Sequence, residues 1–186
     1  AIHDAYRSCI IDGKFDFSRW GTHALANMHP LWMLKYLPNM PACHIGISQQ
    51  ACGPNNSITV GDTSSLQALS EAVRVIQRGN IDIVISGGTS SQLNPTVYDF
   101  RGRGRFTRAQ GDPTTFPRPF DRDRDGSLHG EGAAAFVLES REHAEHRGAT
   151  VLANIAGCSS GFEPIPPGMP PQGTAICNGI EAALKE

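Results

Sequence analysis

The segment "ITVGDTSSLQALSEAVRVIQRGNIDIVISGG", residues 58–88, constrains the fold more than any other part of the chain. It opens with a short β-branched run, Ile58 to Val60, and turns at Gly61 and Asp62. Leu66, Leu69, Val73 and Ile76 then recur at the spacing of one helix face, and Gly79 with Asn80 stops the helix. The run "IDIVISGG" that follows is β-branched, too short for a helix and closed by glycines, which predicts a buried strand. Strand, helix and strand in that order predict a βαβ unit.

Other segments extend this α/β pattern with less force. Residues 1 to 30 alternate short apolar clusters with turn residues, giving a loop and a helix at most. "PLWMLKYLPNMPACHIGI" is apolar and aromatic, so it is expected in the core, broken into short helical pieces by Pro38 and Pro41. Ala133 to Leu138 predicts a second strand, "REHAEHRG" a short polar helix ended by Gly148, and "TVLANIAGCSSG" a further strand. "TAICNGIEAALKE" predicts a helix after the proline-rich stretch "PIPPGMPPQG". Thr89 to Pro119 is a long glycine- and proline-punctuated connection, of the kind that is usually functional or mobile.

With 186 residues, 39% hydrophobic and 18% charged, the chain can bury one sizeable core, and one soluble globular unit is expected. A formal net charge of −2 gives no global reason to bind nucleic acid or an anionic membrane. No charge-free apolar run approaches the ~20 residues needed to span a bilayer, and "AIHDAYRSCI" lacks signal-peptide order, so a cytoplasmic protein is expected. Cys9, Cys43, Cys52, Cys158 and Cys177 are odd in number and form no Cys-x-x-Cys pair, which points to free thiols rather than disulfides or zinc.

Three polar clusters offer chemistry, each beside a plainer reading. Arg101, Arg103, Arg105 and Arg108 flank Phe106 and could meet phosphates, but one basic loop in a near-neutral domain is more often a solvated surface. Asp121, Asp123, Asp125 and Gly126 reproduce the first half of a calcium loop. The second half fails, because Gly132 stands where a bidentate Glu is needed, so an Asp–Arg turn is favoured. His143 and His146 lie three apart on a short helix without a recognisable third ligand, which favours a solvated face over a metal. Asp62 itself is a good helix N-cap, since its carboxylate can accept from the first N–H groups at the positive end of the dipole.

Taken together, "GPNNSIT", "DTSSLQALSEAVRVIQRGNIDIVISGGTSS", "RPFDRDRDGSLHGEGAAAFVLES" and "HAEHRGATVLANIAG" strongly resemble a β-ketoacyl synthase, a condensing enzyme of fatty-acid and polyketide synthesis. Their order and spacing match over about two-thirds of the chain. The resemblance implies a thiolase-like fold with layers α-β-α-β-α. Residues 1–186 would be a partial domain covering much of the N-terminal half and the start of the C-terminal half. No stretch matches the family's histidine motifs. The resemblance further implies dimerisation, as a homodimer or with an active ketosynthase, and acyl groups delivered on the phosphopantetheine of acyl carrier protein. It implies no cofactor on the chain itself, no nucleic acid and no membrane.

Working members of that family carry a cysteine at the turn before the helix, where the helix N-terminus favours its thiolate and backbone N–H groups hold the oxyanion. Here the corresponding residue is Asp62. A carboxylate with an ordinary pKa near ~3.9 is ionised but is a far poorer nucleophile toward a thioester, and its attack would give an anhydride that water destroys. The expectation is a non-condensing partner or accessory subunit. An Asp anion would also repel a malonyl carboxylate, which ranks a decarboxylase lower. Thr63, Ser64 and Ser65 are better read as helix-capping hydroxyls than as nucleophiles, because no G-x-S-x-G elbow accompanies them. The alternatives are a thioester hydrolase or transferase using Asp62 as a base and, below it, a calcium- or nucleic-acid-binding module.

Overall fold

The computed structural model describes residues 2–93 and 106–186. Two compact units divide it, Ala1–Thr59 and Val60–Glu186.

In the first unit, helix α1 (Ile2–Arg7) leads into a hairpin of β1 (Ile10–Ile11) and β2 (Lys14–Phe15), with Ile10 opposite Phe15. Asp12 and Gly13 form its two-residue turn with φ of 50° and 75°, the left-handed pair that Asp-Gly adopts readily. Asp16 then caps a 3-10 turn, Phe17–Arg19, by accepting from the Ser18 amide at 2.9 Å. A short helix, α2 (Leu25–Asn27), follows, and Ala5, Cys9 and Ala24 form a fully buried centre with Trp20 and Met28 against it.

Both prolines of the apolar segment act as expected. Leu37, before Pro38, is extended and ends the 3-10 turn Trp32–Tyr36, while Pro41 lies in the first turn of α3 (Met40–Ser48). The expected core packing is not found, because Leu31, Met33, Tyr36 and Ile47 are all exposed. The run is broken into the five-residue 3-10 stretch and the nine-residue α3, which leaves no continuous stripe to bury.

The second unit is built on α4 (Ser64–Gln77), β3 (Ile83–Ser91) and β4 (Glu131–Glu139). α4 ends as predicted, with Gly79 left-handed at φ 74°. Its most buried residue is Ala72, while Leu66 from the predicted stripe is exposed. The βαβ expectation fails: residues 58–60 form no strand, and β3 pairs antiparallel with β4 over nine residue pairs, from Ile83–Glu139 to Ser91–Glu131. Three β-branched residues have the propensity for a strand, but a ladder needs a neighbour.

β3 is also less buried than predicted. Gly88 faces the first turn of α4, and alternation along the strand puts Val84 and the buried Ser86 on the same side. On the other side Ile83 is 45% and Ile85 40% exposed, with Val137 opposite Ile85 at 61%. Of the long connection that follows β3, residues 94–105 lie outside the described residues.

After β4 come α5 (Arg141–His146), capped by the Ser140 hydroxyl, and α6 (Thr174–Ala183). The further strand expected from "TVLANIAGCSSG" is absent, and residues 149–164 take no regular form. Part of that stretch runs beside α6 instead. A Cβ on Gly161 would stand 2.8 Å from the Ala175 carbonyl oxygen, and one on Gly157 would overlap the Ala183 carbonyl oxygen. Glu163 closes the N-terminal end of α6, accepting from the amides of Gln172 at 2.6 Å and Ala175 at 3.2 Å. Those two backbone bonds, the Gln172 amide first, hold its carboxyl below the usual range.

Candidate active-site turn

The chain enters α4 through a single 3-10 turn, Gly61–Thr63, with Asp62 at its centre and exposed. Gly61 has φ 76°, a conformation that disfavours any residue with a Cβ. The Ser64 hydroxyl clips the turn at both ends, accepting from the Val60 amide at 2.9 Å and donating to the Gly61 carbonyl at 2.6 Å. Thr63 donates to the Val60 carbonyl at 3.4 Å. The hydroxyls of Thr63 and Ser64 therefore hold the turn itself, and Thr63 makes no side-chain capping bond to α4, unlike the capping expected from the sequence. Thr63 rather than Asp62 occupies the N-cap position of α4, so Asp62 stands one residue ahead of the cap and two ahead of the helix.

Paired glycines set this turn against the sheet. A Cβ on Gly88 would lie 2.5 Å from the Ser65 Cβ, so only glycine lets β3 come this close to the start of α4. Its neighbour Gly87 does the same toward β4, where a Cβ would overlap the Ala134 carbonyl oxygen and stand 2.8 Å from the Ala135 Cα. The glycines expected to close the strand thus lie inside it, and β3 continues past them to Ser91.

A second cluster joins the aspartate-rich loop to the end of the arginine segment. Asp125 accepts from the Thr107 hydroxyl at 2.7 Å and the Arg108 amide at 3.1 Å, and these bonds, the hydroxyl first, lower its carboxyl pKa. Gly126 follows at φ 149°, and a Cβ there would meet the Phe106 and Thr107 backbone at 2.6 Å. His129 packs edge-on against Phe106, with ring centres 4.3 Å apart, and its Nδ1 lies 3.0 Å from Gln92 Oε1. Asp121 turns inward on its own loop, accepting from the Asp123 amide at 2.7 Å. Asp121 thus serves its own turn, while Asp125 ties the loop to Thr107 and Arg108. Arg101, Arg103 and Arg105 lie outside the described residues.

A third cluster closes β4 onto α5. Glu139, its side chain 9% exposed, accepts from Arg147 through Nε at 2.7 Å and through Nη2, and pairs with His143 Nδ1 at 2.9 Å. The Arg147 hydrogen bonds, then that of His143, bring its carboxyl pKa down to about 2. His143, expected on a solvated face, instead pairs with Glu139 through Nδ1. Among the described residues no three His, Cys, Asp or Glu side chains converge as metal ligands. Sequence reasoning missed this clamp and the Glu163 cap. The Arg147–Glu139 and Gln172–Glu163 bonds join residues eight and nine positions apart, whereas Glu139 and His143 stand at a local i, i+4 spacing that could have been noticed.

Residues 16–144 match the model of the β-ketoacyl synthase N-terminal domain. The mitochondrial 3-oxoacyl-[acyl-carrier-protein] synthase of Arabidopsis thaliana is 36% identical over 72% of this chain, which covers 29% of that protein. Among solved structures, a type II polyketide-synthase acyl carrier protein in complex with its ketosynthase bound to the hexaketide superposes with a TM-score of 0.80, at 27% identity. That match covers 90% of this chain and 42% of the other. The ishigamide ketosynthase/chain length factor gives a TM-score of 0.74 at 27% identity, covering 86% and 38%. The chain spans about a third of the length of the curated relatives it matches. The match of domain, sequence and fold is consistent throughout: the chain belongs to the β-ketoacyl synthase family and has its thiolase-like fold.

Proposed function

We propose that this chain is a ketosynthase-like component of fatty-acid or polyketide synthesis that does not form an acyl-enzyme and serves as a non-condensing partner or accessory subunit. The observation that carries the reading is Asp62, exposed at the centre of the turn into α4 in a chain of this family. A thiolate in that position would gain from the helix N-terminus and attack a thioester. Asp62 keeps the negative charge and loses the nucleophilicity, so the seat remains while the covalent step does not.

The partners of this reading are an acyl carrier protein, which would bring acyl groups on its phosphopantetheine, and a second ketosynthase-like chain, identical or active. One structural neighbour is a ketosynthase with its acyl carrier protein and another a ketosynthase/chain length factor, which supports both. The chain needs no cofactor of its own for this role. No described helix is long and apolar enough to cross a membrane. The Arabidopsis relative is named as mitochondrial, so the cytoplasmic location belongs to the proposal rather than to the family.

Intact-mass measurement after incubation with acyl-CoA or acyl carrier protein tests the reading. No adduct is expected on the wild-type chain. A stable acyl adduct that disappears in Asp62→Asn would overturn it, and thioester hydrolysis lost in Asp62→Asn would instead establish Asp62 as a base for water.

A further inference from the structure

We draw no further inference here: the strongest candidate, the uncovered apolar face of the β3–β4 sheet formed by Ile83, Ile85 and Val137, carries nothing because nothing in the structure shows what covers it.

Discussion

Two carboxylates stand at the ends of neighbouring elements in one unit, Asp62 in the turn into α4 and Glu139 at the last residue of β4. Glu139 is nearly enclosed, and Arg147 and His143 close on it from the short helix that follows and its end. Asp62 is exposed, and the turn around it takes its shape from the φ of Gly61 and the hydroxyl of Ser64. The contrast separates two uses of a negative charge. One ties the end of a strand to the helix that follows it, while the other stands exposed at the entry to a helix.

Removing the support common to both should have the largest effect. Gly87→Val drives a side chain into the Ala134 carbonyl and should cost roughly 3 kcal/mol, read as a fall in the urea midpoint. An unchanged midpoint would contradict the pairing of β3 with β4.

The next experiment addresses Glu139 alone. Its folded pKa lies near 2 against an ordinary 4.5, so the folded state holds the charge while the unfolded state takes up a proton. Its stabilisation is therefore complete above about pH 4.5 and is lost as pH falls toward 2. Glu139→Gln should flatten thermal stability against pH across that window, and an unaltered profile would remove the clamp from the comparison.

Smaller effects are expected at the turn. Ser64→Ala breaks the clip and should cost about 1 kcal/mol by chemical denaturation. Asp62→Asn, a near-isosteric change at an exposed position, should stay within about 0.5 kcal/mol. A large loss there would make Asp62 a structural acid like Glu139 and weaken the distinction.

The sequence announced what depends on local pattern. The stop of α4 at Gly79, the strand around Ala133–Leu138, the helix at Arg141 and the breaks at Pro38 and Pro41 all follow from residues within a turn of one another. It misplaced what depends on neighbours. Residues 58–60 and 151–155 have strand composition but no ladder to join, and the apolar residues around Trp32 lie on a short 3-10 stretch without a continuous stripe. The Asp12-Gly13 hairpin was legible in principle, since Asp-Gly is the usual signal for a two-residue turn and Ile10 and Phe15 stand on either side of it. The turn into α4 was legible as a position, Gly61-Asp62 before a helix. The clip that shapes it depends on hydroxyl geometry that no spacing reveals.

The two glycines beside α6 act as a length gauge. Gly157 and Gly161 are four residues apart and meet Ala183 and Ala175, which are eight apart on the helix. An extended chain advances about 3.3 Å per residue and a helix about 1.5 Å, so the two spans match at roughly 12–13 Å. Inserting one residue between the glycines would throw one of them out of step and set a side chain against helix backbone. Spacing, as much as smallness, is what this stretch has to preserve.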